Sequence, residues 1–260
     1  VVTITSVRDD GGTANGGVDT SSPNVPATVT ISAVNSAPVV TTSTGVTAFT
    51  EGNNVASIPV IIDSGITVSD LDNATLASAT VSLTANFQAA EDVLAFTNDG
   101  GTMGNISASY DGNTGVLTLT STGATATLAE WELALAAVTY TNSSETPSES
   151  VREISFVVND GVDASVVSTK SISVTAVNDI PVISGIPALS INQGVAYSFT
   201  PSVSDTDSVV FLFSIANQPA WATFDPITGT LSGTPTNANV GITAGIVITV
   251  SDGTTSTSLP

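Results

Sequence analysis

The sequence contains no cysteine and no histidine among its 260 residues. Without cysteine there is neither a disulfide framework nor a thiolate metal site. Without histidine and cysteine, the common nucleophilic triads cannot form. No pair of carboxylates is singled out by spacing for acid and base catalysis, so we expect no enzyme.

Basic residues are almost as scarce. Arg8, Arg152 and Lys170 stand against 23 acidic residues, which gives a formal net charge of −20. This charge excludes nucleic acid and anionic membrane surfaces as partners. There is also no apolar run of about 18 residues, so no membrane insertion is expected. The acidic surplus is either a solvated coat or a set of specific cation sites.

What the sequence does contain is typical of β-structure. Hydrophobic residues make up 41% of the chain, mostly Val, Ile, Leu and Ala set among many Ser and Thr. This mixture suits half-buried strands, and the length allows two or three domains. One helix is predicted over residues 128–137, because Thr127 and Glu130 form a capping box at its start. Trp131 on its apolar face is expected in the core.

Apolar residues alternate with hydroxyl residues in several short segments. Strands are predicted at residues 1–7, 27–34, 55–62, 79–84, 93–97, 116–119, 138–141, 154–158 and 166–177. A Gly-rich acidic loop at residues 9–19 separates the first two. Tyr110-Asp111-Gly112-Asn113-Thr114-Gly115 predicts a hairpin turn.

A repeat divides the chain into modules. Ala176-Val177-Asn178-Asp179-Ile180-Pro181-Val182 has an earlier copy at residues 33–39, a domain-sized distance away. Four further motifs between the two copies recur after the second copy in the same order. Residues 49–52 correspond to 191–194, residues 68–72 to 203–207, the turn at 110–115 to 224–229, and the aspartate-glycine segment at 158–161 to 250–253. We therefore predict a partial sandwich segment at 1–37, which is the end of a preceding repeat or a source of donated strands. A middle module follows at 38–180, and a third module at 181–260 lacks its last strand.

Paired aspartates recur in both modules. Asp70 and Asp72 share one loop, and Asp205 and Asp207 share the corresponding one. At about 4 Å and an effective dielectric near 20, two such carboxylates repel by roughly 4 kcal/mol. Calcium, which takes six to eight oxygen ligands, would offset this cost. Solvated acidic turns are the alternative, since Asp and Asn favour turns anyway.

The linkers carry further oxygen donors. If each module is a sandwich, its aspartate loops lie at the pole where the incoming linker arrives. For the second joint the predicted calcium ligands are Asn178, Asp179, Asp205, Asp207, Asp252 and Glu51 from the preceding module. For the first joint they are Asn35, Asp70, Asp72 and Asp160. Ser36 replaces the linker aspartate there, so the first joint should be looser.

These residues resemble the cadherin-like repeats of large bacterial RTX adhesins. The segments that carry the resemblance are Phe49-Thr50-Glu51-Gly52, residues 68–73, 91–94, 110–119, 138–142, 154–161 and the linker at 176–181. Residues 183–260 are similar to a dystroglycan-type cadherin-like, or immunoglobulin-like, module, through Pro219-Ala220-Trp221 and residues 228–235 and 250–253. The resemblance departs at Gln193, where an acidic residue is expected.

The resemblance implies tandem all-β sandwiches in a rod with Ca2+ between modules. It implies an extender role in a secreted or cell-surface bacterial adhesin exported by type I secretion. Its partners would be neighbouring modules or other copies of the protein. Two alternatives stay open: a filament subunit in which residues 1–7 of one copy complete the third module of the next, and a module that binds glycan or another surface ligand through Trp221 or the loop at 99–104.

Overall fold

A computed structural model describes residues 2–4, 7–8, 20–21, 25–27 and 31–259. The chain divides into two compact units, Val1–Ser36 and Ala37–Pro260. The first unit contains the strands β1 (Val2–Ile4), β2 (Val7–Arg8), β3 (Thr20–Ser21) and β4 (Val25–Ala27). β1 pairs antiparallel with β4, and β2 with β3. The Gly-rich loop predicted at residues 9–19 lies outside the described residues.

The strand predicted over residues 27–34 is wrong for its second half. β4 ends at Ala27, residues 31–34 have no regular structure, and residues 28–30 are not described. Ile31 and Val34 are 91% and 84% exposed. Their alternation with polar residues therefore does not reflect a half-buried strand.

The second unit begins with the middle module. Its elements are β5 (Val39–Thr41), β6 (Val46–Thr50), β7 (Val60–Ile61), β8 (Thr67–Ser69), β9 (Ser78–Ala85), β10 (Asp92–Ala95), β11 (Ile106–Asp111), β12 (Val116–Ser121), α1 (Leu128–Ala136), β13 (Thr139–Asn142), β14 (Arg152–Asn159) and β15 (Ser168–Thr175). A six-stranded sheet has the order β11-β12-β9-β14-β15-β6, in which only β15 and β6 are parallel. A second sheet has the order β10-β13-β7, and β5 pairs with β8. Side chains of both larger sheets share one core.

The helix confirms its prediction closely. Thr127 Oγ1 accepts the N–H of Glu130, and the Glu130 carboxylate accepts the N–H of Thr127 at 2.7 Å. Trp131 is fully buried, and its indole N–H donates to the Leu76 carbonyl at 3.0 Å. The tryptophan is thus a satisfied core residue, as its place on the apolar face predicts.

The third module is smaller. Its elements are β16 (Val182–Ser184), β17 (Tyr197–Phe199), β18 (Ser202–Ser204), β19 (Leu212–Ala216), β20 (Ala222–Phe224), β21 (Leu231–Gly233), a 3-10 turn at Asn237–Asn239, β22 (Val247–Ser251) and β23 (Ser256–Ser258). The sheets are β16-β18, β17-β21-β20 and β19-β22-β23 around a separate core. The sequence predicted no closing strand here, whereas Ser256–Ser258 pair with β22.

The chain is therefore an all-β protein with one short helix, as predicted. The repeated hairpin turn shows how closely the modules agree. In the middle module, Asp111 accepts the N–H of Asn113 and the hydroxyl of Thr114, both at 2.9 Å. In the third module, Asp225 accepts the N–H of Ile227 and the hydroxyl of Thr228 at the same distances. The recurring sequence thus produces the same local structure twice.

Candidate metal centre

The paired-aspartate loops fold identically in the two modules. Oδ1 of Asp205 accepts the N–H groups of Asp207 and Ser208 at 2.9 and 2.8 Å. Oδ1 of Asp70 accepts the corresponding N–H groups of Asp72 and Asn73, both at 3.0 Å. In each loop the first aspartate therefore uses one oxygen to hold the backbone. Its other oxygen, Oδ2, is buried and accepts no hydrogen bond.

The later aspartate-glycine loops also match each other. Asp252 Oδ1 accepts the N–H groups of Thr254 and Thr255, both at 2.6 Å. Asp160 Oδ1 makes the same bonds to Val162 and Asp163 at 2.7 and 2.8 Å. Each aspartate thus closes its own turn through Oδ1, and its Oδ2 accepts the side-chain amide of an asparagine from another segment, Asn178 for Asp252 and Asn73 for Asp160.

At the amino-terminal end of the middle module, the two kinds of loop meet. Asn73 Nδ2 donates to Asp160 Oδ2 at 3.3 Å. Burial opposes ionisation of Asp70, but the N–H groups of Asp72 and Asn73 outweigh it and lower the pKa of Asp70. The negative charge of Asp160 also acts against the ionisation of Asp70, so the two carboxylates are close neighbours. Asn35 lies in the other compact unit, so its predicted share in this joint stays a prediction.

The linker contacts both the middle and the third module. On the third-module side, Asn178 Nδ2 donates to Asp252 Oδ2 at 2.8 Å, and the N–H of Asp179 donates to Asp207 Oδ2 at 2.5 Å. The hydrogen bond from Asn178 is the main reason why the pKa of Asp252 lies well below its ordinary value. These contacts bring predicted ligands of the second joint together.

On the middle-module side, the linker binds the turn after β6. Asn53 Nδ2 donates to the Asn178 carbonyl at 2.6 Å, and the N–H of Asn54 donates to Asp179 Oδ1 at 2.5 Å. The N–H of Val177 donates to Glu51 Oε2 at 2.6 Å. Asp179 is thus fixed from both modules, and its side chain is fully buried.

Three carboxylates converge at this point. One oxygen each of Glu51, Glu145 and Asp179 lies within 4.8 Å of the others. Glu51 is 3% exposed, Asp179 is fully buried and Glu145 is half-buried. Burial raises the pKa of Glu51, and the negative charges of Asp179, Glu145 and Asp207 raise it further, against the N–H of Val177.

The hydrogen bonding singles out the linker and, with one atom of Asp70, the loop at the amino-terminal end of the middle module. Among the residues that the structure describes, five buried side-chain atoms lack a hydrogen-bond partner, and all five are carboxylate oxygens. They are Glu51 Oε1, Glu145 Oε2, Asp179 Oδ2, Asp205 Oδ2 and Asp70 Oδ2. Buried polar atoms normally find a partner, and a buried carboxylate without one is costly.

Protein cations do not neutralise this cluster. The two basic side chains that are described have other partners: Arg152 pairs with Asp92, and Lys170 donates to Ser43 and Thr44. Oxygen-only donors with aligned, unpartnered carboxylates fit a hard cation such as Ca2+. Glu51, Glu145 and Asp179 would hold one ion, and Asp205, Asp207, Asp252 and Asn178, as predicted ligands of the same joint, would supply further donors.

Glu145 was missed by the sequence reasoning. It lies between β13 and β14, in a loop without an Asp-x-Asp pattern. The signal that could have found it is the topology of the two sheets. Glu51 follows the end of β6 in one sheet, and Glu145 follows the end of β13 in the sheet packed against it. Spacing along the chain could not show it.

Comparison with known proteins supports the immunoglobulin-like part of the fold. The sequence profile of the family described as "Putative Ig domain" matches residues 180–259. "Halomucin" of Haloquadratum walsbyi (strain DSM 16790 / HBSQ001) is 35% identical over 121 residues, which is 46% of this chain. The chain spans 1% of the length of that relative.

Solved structures of cadherin ectodomains are also similar. Protocadherin Gamma B2 extracellular cadherin domains 3-6 match 92% of this chain and 54% of theirs, at 14% identity and a TM-score of 0.32. Human Protocadherin-24 EC1-2 matches 87% of this chain and 93% of its own, at 14% identity and a TM-score of 0.30.

Proposed function

We propose that this chain is a calcium-stiffened extender segment of a large extracellular adhesin or surface fibre. Its role is structural rather than catalytic, and it sits outside the cell as part of a type I secreted bacterial protein. The single observation that supports this most is the group of four unpartnered, buried carboxylate oxygens around the linker, on Glu51, Glu145, Asp179 and Asp205. A calcium ion there would link Glu51 and Glu145 to Asp179.

The geometry explains how an ion would stiffen the joint. Without the ion, Asp179 is held by N–H donors while Glu51 and Glu145 repel it. Any change in the angle between the modules that moves these carboxylates apart reduces their repulsion. With an ion bound, the same carboxylates attract a common centre, so separation costs ligand bonds. Calcium would therefore replace a repulsion that works against the hydrogen bonds of the linker with an attraction that adds to them.

The function is tested by titration with calcium and by chelation. Bound ligand stabilises the folded state by about 2.7 kcal/mol at 100 times its dissociation constant. We expect calcium to raise the melting temperature, and small-angle scattering to show a narrower range of inter-module distances than in chelator. Magnesium at equal concentration should do less, because it prefers a smaller octahedral shell.

A charge-matched pair of variants makes the test specific. Glu145→Gln should weaken calcium binding, whereas Glu153→Gln changes the net charge equally on the exposed side of β14. If calcium alters neither the melting temperature nor the scattering of the unmodified chain, the chain is not a calcium-stiffened extender.

One observation favours glycan binding as a second candidate. A 630 Å³ cavity in the third module is lined by Tyr197 and Trp221, whose rings meet edge to face at 5.7 Å, and by Asn192, Gln193 and Asn239. Its volume lies in the range of small-ligand sites. Glycan-dependent quenching of tryptophan fluorescence that is lost in Trp221→Phe would support this role, and a glycan array without hits would exclude it.

The filament alternative gains no support from the described strands. Val2–Ile4, at the centre of the proposed donor segment, already pair with Val25–Ala27 of the same chain. Residues 1, 5 and 6 of that segment lie outside the described residues. Strand exchange between copies would either replace this pairing or use the other edge of β1, and sedimentation at high protein concentration with calcium would detect it.

In the part of the chain that the structure describes, no helix is long and apolar enough to cross a membrane.

A further inference from the structure

The middle module contains a buried ion pair at the base of the loop that carries Glu145. Arg152 is fully buried, and Asp92 is 1% exposed. Arg152 Nε donates to Asp92 Oδ2 at 3.1 Å, and Nη2 to Oδ1 at 3.4 Å. Removing charges from water is expensive, and a hydrophobic pair of equal volume often stabilises as well or better. Stability alone therefore does not explain this pair.

The Asp92 carboxylate is fully engaged. Its Oδ1 also accepts the hydroxyl of Tyr140 at 2.6 Å and Nδ2 of Asn142 at 2.7 Å, and its Oδ2 accepts the N–H of Gln88 at 2.8 Å. The arginine is consequently held in one orientation by a carboxylate that is itself fixed. The remaining N–H donors of the guanidinium, on Nη1, are therefore also held in one orientation.

Those donors reach the Glu145 loop. Arg152 Nη1 donates to the carbonyls of Ser148 and Ser150 at 2.7 and 2.6 Å. At the other end of the loop, the N–H of Ser144 donates to Asn142 Oδ1 at 2.8 Å. Both ends of the segment between β13 and β14 are therefore tied to the Asp92 cluster, and Glu145 lies between the two ties.

We infer that Arg152 is a positioning residue for the calcium site, which it serves by fixing the loop that presents Glu145. Asn142 performs the same task from the other end of the loop. The inference rests on the proposed calcium-binding function and adds the residues that set its affinity. Neither side chain coordinates the ion; both reduce the conformational freedom that Glu145 would lose when it binds.

The substitution Arg152→Lys separates positioning from charge. Arg152→Lys keeps a cation beside Asp92, but a single ammonium cannot reproduce the planar fork that spans the carboxylate and two carbonyls. Mutating a residue that hydrogen-bonds to or orients a metal ligand typically lowers metal affinity by about 10- to 100-fold. We expect Arg152→Lys to weaken calcium binding by about tenfold. Competition with a chromophoric chelator measures the affinity, at a temperature at which both the variant and the unmodified chain are fully folded.

The control is Trp131→Phe. This variant lowers the stability of the same module by removing the buried indole and its bond to the Leu76 carbonyl, but it removes no hydrogen bond of Asp92 and leaves both bonds from Arg152 to the loop carbonyls. If affinity merely followed the stability of the module, Trp131→Phe would weaken calcium binding as well. Positioning by Arg152 requires that it leave the affinity within about twofold of the unmodified chain.

A double-mutant cycle decides whether Arg152 acts through Glu145. On a Glu145→Gln background, Arg152→Lys should have little further effect, because the group that it positions is gone. Equal losses on both backgrounds would overturn the inference. If Arg152→Lys does not fold, Asn142→Ala carries the same cycle from the other end of the loop. An unmodified chain that binds no calcium refutes the proposed function itself, whereas one that binds calcium as tightly as Arg152→Lys refutes only this inference.

Discussion

The backbone N–H of Asp179 donates to Oδ2 of Asp207 at 2.5 Å, while the Asp179 side chain is fully buried and turned toward the middle module. One linker residue thus connects two modules through opposite parts of its structure. Asp179 Oδ2 has no hydrogen-bond partner. The backbone of the linker is therefore held by hydrogen bonds, but the negative charges of the three carboxylates that meet there are not neutralised by a protein cation.

Glu51→Gln should have opposite effects with and without calcium. In chelator, the substitution removes a buried charge that faces Asp179, Glu145 and Asp207, so the melting temperature should rise. In calcium, it removes a ligand, so the melting temperature should fall below that of the unmodified chain. Differential scanning calorimetry in the two buffers measures both effects. Glu153→Gln should shift neither by a comparable amount, and the same sign in both buffers would contradict a calcium role for Glu51.

The parts of the site that were predictable are those encoded in one short segment. Asp70 and Asp205 each accept the backbone N–H groups of the residues two and three positions later in the chain. This short pattern forms the same loop in both modules. The capping box of α1 is equally local. Such signals need no knowledge of the rest of the fold.

The predicted strand over residues 55–62 was wrong for most of its length, and the reason is instructive. Only Val60–Ile61 form β7, while Val55 and Ile58 are 62% and 81% exposed. The preceding Asn54 adopts a left-handed φ of 52° and binds the linker. The conformation of the segment is set by its contacts with the linker, and its own apolar pattern carries no information about them.

Glu145 shows the same limit for the site. Its place is set by bonds from Arg152 and Asn142, which are themselves positioned by Asp92, fifty residues or more away in the sequence. Sequence spacing identifies ligands that share a loop or a linker. A ligand presented by a separately anchored loop becomes visible only when the strands are arranged in space.

Trp131→Phe should destabilise the middle module by about 2–4 kcal/mol. The substitution leaves a cavity in a fully buried position, and it leaves the Leu76 carbonyl without the indole N–H that it accepts. Urea denaturation followed by far-ultraviolet circular dichroism measures the loss. A change below about 0.5 kcal/mol would mean that the helix does not pack as the structure shows.

Gly229→Ala should destabilise the third module selectively. A Cβ there would lie 2.6 Å from Phe213 Cδ1, and the residue has a φ of 70°. Gly253→Ala is the matched control, because its φ is 100° but its Cβ would meet no atom within 4 Å. Backbone strain of this kind costs about 1–3 kcal/mol, so Gly229→Ala should exceed its control by the added clash. Equal losses in the two variants would show that Phe213 moves aside freely.

The stability of the calcium-free chain should depend on pH in two opposing ways. The pKa of Glu51 is raised on folding, so the folded state takes up its proton first, and acidification from neutral pH through that raised pKa should stabilise the fold. This gain is complete below the unfolded-state pKa of Glu51. The pKa of Asp252 is lowered, mainly by the hydrogen bond from Asn178. Its contribution is present above the unfolded-state pKa and is lost as the pH falls through the folded one.

The melting temperature in chelator should therefore rise first and then fall as the pH is lowered from 7. Glu51→Gln should remove the rise, and Asp252→Asn should reduce the later fall. Saturating calcium should abolish the rise in the unmodified chain, because a bound ion keeps Glu51 ionised and proton uptake then competes with binding. A rise that persists unchanged in Glu51→Gln would assign the effect to another carboxylate of the cluster.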